Sequence, residues 1–134
     1  MIPEQLSSEL FAAAIAARLD AVVPRGLSVR AEGEAVILYD PESWGGDSSA
    51  AIVAGKDPRP MVERVETAAW AILSGTQDVI MRSTREPWPG GPPGGALPGA
   101  RVIGEQLQMW FGDEAAPVLG LQPLDLIEIA GGAV

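Results

Sequence analysis

The sequence contains no cysteine and no histidine. Those two absences remove disulfides, thiolate nucleophiles, imidazole bases and every metal site built on sulfur or imidazole. Positive charge is scarce as well: a single lysine, Lys56, and eight arginines stand against 18 carboxylates, for a net charge of −9. A surface of that sign repels phosphate backbones and anionic membranes, so neither nucleic acid nor a membrane is expected as a partner. No apolar run approaches the roughly 20 residues that span a bilayer. The apolar stretch at 11–17 follows Glu4 and Glu9 instead of the basic flank of a signal peptide, which points to the cytoplasm.

What the chain does have is enough apolar residues, 47% of 134, to build one core of its own. Residues 3–22 read as a first helix, with Pro3 in its first turn, Glu4 and Glu9 near the positive dipole end, and Pro24 and Gly26 beyond its end. Leu6, Leu10, Ala13, Ala14, Ala17 and Ala21 form its stripe, widened by Phe11, Ile15 and Val22. So wide a stripe suggests a second copy as well as a sheet, and a homodimer is expected. Residues 27–39 alternate in the strand manner around a turn at Glu32-Gly33 and read as a hairpin. A loop at 44–47 and a short third strand at 50–54 follow.

A second helix opens after Asp57-Pro58-Arg59-Pro60, where Asp57 can cap. Its core positions, Val62, Val65, Ala69, Ile72, Leu73, Thr76, Val79, Ile80 and Ser83, stay in phase through Gly75, so the helix is read as continuous. The alternative is a break at Gly75 with a strand at 79–81. Residues 86–99 are too rich in proline and glycine for helix or central strand and form one loop. Strands then follow at 100–103, 106–111 and 118–121, with 124–129 extending an edge and a frayed tail from Gly131. The whole, residues 1–134, reads as a single two-layer α+β domain. Its antiparallel sheet has about five strands in the order α-β-β-(β)-α-β-β-β, with both helices on one face. Gly33-Glu34 and Gly104-Glu105 each lead into an apolar strand ending near an aspartate, Asp40 and Asp113. Duplication of a hairpin and convergence on tight glycine turns both account for that likeness.

Two motifs carry a resemblance. Glu86-Pro87-Trp88-Pro89-Gly90 and the later Leu107-Gln108-Met109-Trp110-Phe111-Gly112-Asp113 resemble a family of short, uncharacterised actinobacterial proteins. That family has an acidic-Pro-Trp-Pro-Gly step and a Leu-x-x-Trp-aromatic-Gly-Asp strand end. Phe111 stands where that family's pattern leads one to expect Tyr. The resemblance implies a long helix before the Pro-Trp-Pro step and brings no catalytic, cofactor or metal residue onto this chain. The element order is also similar to small secretion-chaperone-like domains, a likeness of fold alone.

Candidate sites follow from chemistry. Trp88, between two prolines, is either an exposed docking element on an extended segment or a ring folded back over the end of the core. Alternation along 106–111 puts Leu107, Met109 and Phe111 inward and Gln106, Gln108 and Trp110 outward. Two amides and an indole on one face suit a protein contact, or a solvent face with one partly covered Trp. The glycine-proline stretch lacks the Lys and Ser or Thr of a phosphate-binding loop, so no nucleotide and no cofactor is expected. Asp40, Glu42 and Asp47, and Asp113 with Glu114, are the densest carboxylate clusters, yet none has calcium-loop spacing. A nucleophile from Ser7-Ser8 or Ser48-Ser49 would need Lys56 as its base. The leading expectation is a non-catalytic protein-binding module, adaptor, chaperone-like or immunity-type, that takes a basic partner through Trp88, Gln106, Gln108 and Trp110. One rival is a small enzyme or ligand-binding protein using carboxylates with Arg82, Arg85 and Arg101 as anion clamps, and the other is a subunit whose role is assembly.

Overall fold

The computed structural model describes residues 2–41, 48–50, 53–90 and 96–130. Its elements are α1 (Ser8–Asp20), β1 (Ser28–Glu32), β2 (Ala35–Tyr39), β3 (Ser48–Ala50), α2 (Met61–Thr84), β4 (Pro98–Ile103), β5 (Gln106–Gly112), β6 (Pro117–Gly120) and β7 (Leu124–Asp125). The class is α+β with antiparallel pairing throughout, in the order read from the sequence. The strands, however, form two sheets: β1-β2-β3, and β4-β5-β6 with β7 also on β5. The cause is visible at the outer edge of β4. There the Val102 N–H, pointing away from β5, donates to the Glu66 carboxylate of α2 at 2.8 Å. A helix carboxylate occupies the place where a further strand would pair, so the sheet stops. Accordingly α2 packs on strands of both sheets, whereas α1 packs chiefly on β1 and β2.

The first helix begins at Ser8, five residues later than the proline suggested. Ser7 is the stronger start signal: its hydroxyl accepts the Leu10 N–H at 3.1 Å and caps the helix. Ahead of the helix the Ser7 N–H donates to Ile129 O and Leu6 bridges to Ala130. The buried face is Ser8, Phe11, Ala12, Ile15, Ala16 and Leu19. Leu10, Ala13, Ala17 and Ala21, expected in the core stripe, are exposed. Apolar residues on every side of this helix gave no unique face, and the bulkiest side chains, Phe11, Ile15 and Leu19, took the interior.

The second helix runs unbroken through Gly75, as its spacing predicts, with Met61, Val65, Ala69, Ile72, Leu73, Thr76, Gln77 and Ile80 buried. Val62 and Ser83 face outward, because Met61 and Gln77 complete the core row in their place. Asp57 does not cap it. Pro60 is the N-cap residue without a side-chain bond, and Asp57 closes a local turn onto the Arg59 N–H at 2.9 Å and the Arg59 guanidinium at 2.8 Å. At the other end Arg85 adopts a left-handed conformation, φ 57°, and its N–H returns to Met81 O.

Both hairpins use a two-residue loop of Gly then Glu. The pairs Glu32↔Ala35 and Ile103↔Gln106 close around Gly33 (φ 59°) and Gly104 (φ 62°), with no positive φ at Glu34 or Glu105. That is the II′ pattern, whose twist matches a hairpin and whose first position requires glycine. The expected edge strand at 124–129 shortens to Leu124–Asp125, after which turns bury Leu126 and Ile129. One contiguous core results, in which Phe11, Ile15 and Leu19 join Ile72, Leu73 and Ile80 and the inward residues Leu107, Met109 and Phe111 of β5. Each such side chain contributes about 1.5–3 kcal/mol by burial. The loop expected at 44–47, residues 51 and 52 of the expected third strand, residues 91–95 and the tail from Gly131 lie outside the described residues.

Candidate functional site

Trp88 belongs to the core. Its side chain is only 9% exposed, and its ring meets Phe111 edge-on at 5.0 Å between centroids. The peptide to Pro89 is cis. The backbone on either side of the ring is held from α2: buried Gln77 donates through Nε2 to Trp88 O at 3.0 Å and to Ala96 O at 2.6 Å. One amide thus pins both ends of the proline-glycine segment to the helix. Trp88 therefore leaves the candidate surface, since a ring spent on Phe111 has no face to offer a partner. Gln77 was missed in the sequence because an amide breaks the apolar row, although it stands four residues after Leu73 on the buried side.

The outward face of β5 is as the alternation predicted: Gln106 is exposed, and Gln108 and Trp110 are half-buried. Register adds its neighbours, with Ile103 beside Gln106, Arg101 beside Gln108 and Gly99 beside Trp110 on β4, and Gly120 beside Trp110 on β6. The indole lies over Gly99 so closely that a Cβ there would sit 2.4 Å from the ring. Gly99 is therefore the bare strand position on which Trp110 rests, a known way for an aromatic to cover a glycine. Ile103 at 54% and Val118 at 45% exposure extend the face with aliphatic surface. Among the described residues neither Gln106 nor Gln108 is held by a hydrogen bond from its side chain. Arg101 is ion-paired with Glu114 at 2.8 Å, both well exposed. Ile103 and Val118 were absent from the sequence-based set, yet the two-residue turn already fixed Ile103 opposite Gln106.

The corresponding face of the first sheet is closed upon itself. The Tyr39 hydroxyl donates to Glu32 Oε1 at 2.6 Å, and the Arg30 guanidinium lies over the Tyr39 ring, 5.4 Å from its centroid. The hydrogen bond to Glu32 raises the Tyr39 phenol's pKa above its usual value. Asp57 is drawn down to about 2 by its hydrogen bonds from the Arg59 side chain and backbone. It stands on an exposed turn away from the β5 face and serves that turn.

The serine pair Ser7-Ser8 is occupied structurally. Ser7 caps α1, and buried Ser8 accepts the Val53 and Ala54 N–H groups at 3.0 Å each. A cleft of about 540 Å³ near Ser7 includes Lys56 and Arg64, but Arg64 Nη1 is spent on Val53 O and Gly55 O. Of the expected anion clamps, Arg101 is paired with Glu114. Glu42 and Asp47 and the side chains of Ser48 and Ser49 lie outside the described residues, and among those described no cluster of three or more carboxylates gathers. No helix among them is long and apolar enough to cross a membrane. Comparison with protein-family models, curated proteins and solved structures gives no match, so the resemblance carried by the Pro-Trp-Pro step and the β5 strand end rests on those residues alone.

Proposed function

We propose that this chain is a non-catalytic protein-binding module of the cytoplasm that receives a basic partner on the outward face of β4, β5 and β6. The observation that carries the reading is the contrast at Gln106, Gln108 and Trp110. Their unengaged amides and half-covered indole, flanked by exposed Ile103 and Val118, combine adaptable hydrogen bonding with aromatic area. Charge sets the partner's sign. Glu105, Asp113 and Glu128 are exposed on the loops around this sheet, within a chain of net charge −9. Such a rim accelerates the approach of a cationic surface and repels an anionic one.

The test is affinity capture from host lysate with the wild-type chain and with Trp110→Ala and Ile103→Asp variants, each checked for an unchanged unfolding midpoint. One partner, rich in lysine and arginine, retained by the wild type and lost from both variants is the expected result. Retention of the same proteins by all three baits overturns the assignment of this face.

A further inference from the structure

We propose that the cleft between residues 4–7, residues 54–56 and the first turn of α2 binds a small zwitterion, an aliphatic α-amino acid, whose carboxylate meets Lys56 and Arg64 and whose ammonium meets Glu4. The site shares no residue with the β4–β6 face and does not depend on the protein-binding reading.

The walls of this cleft are fixed by the fold. Its volume of about 540 Å³ falls within the range of small-molecule sites. From α1, buried Ser8 accepts the Val53 and Ala54 N–H groups at 3.0 Å each. From α2, Arg64 Nη1 donates to Val53 O and Gly55 O at 3.1 Å each. The segment 53–55 is thereby clamped between the two helices, and the facing segment is tied down where the Ser7 N–H donates to Ile129 O. Leu6 and Met61, both buried, supply an apolar floor. At Gly55, φ 92°, a Cβ would meet nothing within 4 Å, so the space beside that backbone is open.

Unmatched charge on those walls selects the ligand. Arg64 is bonded to carbonyls and to no carboxylate, so its charge stays uncompensated. Its Nε is buried without a hydrogen-bond partner, the only side-chain atom so placed among the described residues. A buried donor without an acceptor carries a free-energy cost, and Nε with Nη2 forms the edge of a guanidinium that pairs with carboxylates. Nε is shielded from solvent, so a ligand oxygen reaches the guanidinium through Nη2, and its negative charge offsets the unmatched Nε–H beside it. Lys56, the only lysine, lines the same cleft, exposed and without a bonded partner. Asp57, its neighbour in sequence, is taken up by Arg59 at 2.8 Å. The first turn of α2, which Pro60 leaves without a side-chain cap, adds its positive end. Glu4 is the one carboxylate on the lining, and it bonds neither Lys56 nor any other described residue. A phosphate or a dicarboxylate would meet Glu4 and a chain of net charge −9, and a plain carboxylate would leave Glu4 unanswered. A carboxylate and an ammonium in one small molecule answer both walls.

The probe is L-leucine at millimolar concentration, beside leucine amide, which lacks the carboxylate, and isocaproate, which lacks the ammonium. Heteronuclear NMR on the full chain follows the Gly55 and Lys56 amides and the Arg64 Nε–H. Saturable shifts of all three with leucine, and binding weaker by about tenfold or more for each truncated probe, are the expected results for the loss of one charged hydrogen bond. Lys56→Gln weakens leucine by a similar factor, and Glu4→Gln brings leucine down to the level of isocaproate. Both residues are exposed, so the unfolding midpoint of each variant stays that of the wild type. The inference is overturned if leucine moves none of the three resonances, if the truncated probes bind as well as leucine, or if neither substitution changes leucine's affinity.

Discussion

The two helix–hairpin units of this protein, α1 with β1 and β2 and α2 with β4 and β5, are built by the same local rules and finished differently on the outside. Each hairpin turns through glycine then glutamate, and each first strand has an outward amide answered by a helix carboxylate, Val29 by Asp20 and Val102 by Glu66. On the outer face of the first unit Tyr39, Glu32 and Arg30 engage one another. On the second, Gln106 and Gln108 stay unengaged and Trp110 lies over Gly99. Shared folding rules therefore account for the framework, and the unmatched outer residues are where a function distinct from folding is to be sought. The same contrast separates Trp88, sealed against Phe111, from Trp110, half in solvent.

The largest expected effect tests that separation. Trp88→Ala removes a ring that caps the core and leaves a cavity beside Phe111, a loss of about 3–5 kcal/mol by the usual cost of deleting a large buried aromatic. Trp110→Ala, which uncovers a strand already partly wet, costs about 1 kcal/mol or less. Urea unfolding of the two variants beside the wild type measures both. Equal losses would show that Trp110 is core, and the contrast between a sealed and an open face would collapse.

Much of this framework was legible in the sequence because its signals are local. Glycine at a tight turn, period two along β5 and the three-four spacing of α2 each announce themselves within a few residues, and Gly75 did not interrupt the last of these. The errors fall where the deciding contact is distant. Nothing near Trp88 reveals that Phe111 will receive its ring, and nothing near Gln77 reveals two carbonyls from the loop. The division into two sheets depends on Glu66 meeting Val102, a pairing across 36 residues. α1 misled for another reason: with apolar residues all round, only packing could choose Phe11, Ile15 and Leu19 over the alanines. Of the candidate site, Gln106, Gln108 and Trp110 were read correctly as outward, Ile103 and Val118 were overlooked, and Trp88 was half of an open alternative that the fold closed.

A smaller effect sharpens the likeness of the two units. Asp20→Ala and Glu66→Ala each leave one outward amide to water and remove a charge-assisted bond, for about 1–2 kcal/mol apiece. The two positions share no partner, so the double variant is expected to lose the sum of the single losses. Thermal unfolding of the two singles and the double gives the comparison. A much larger loss for Glu66→Ala would mean that this carboxylate holds α2 against the second sheet, beyond closing a strand edge.

The smallest effect concerns the closed face of the first unit. Tyr39 is the only tyrosine in the chain, so its ionisation can be followed alone by ultraviolet absorbance. Its phenol is raised above the ordinary 10.0, chiefly because the neutral hydroxyl donates to Glu32 and because the phenolate would face that carboxylate. A group whose folded pKa is raised lends stability that is complete below its unfolded pKa and disappears as pH climbs through the folded one. The Tyr39–Glu32 bond therefore contributes at neutral pH and is lost only in alkali. Glu32→Ala is expected to bring the titration back towards 10.0 and to leave stability at neutral pH almost unchanged, since the pair is solvent-exposed. A titration unmoved by that substitution would show that Tyr39 is not held by Glu32. The first face would then be as open as the second, and the asymmetry on which the binding surface was chosen would be gone.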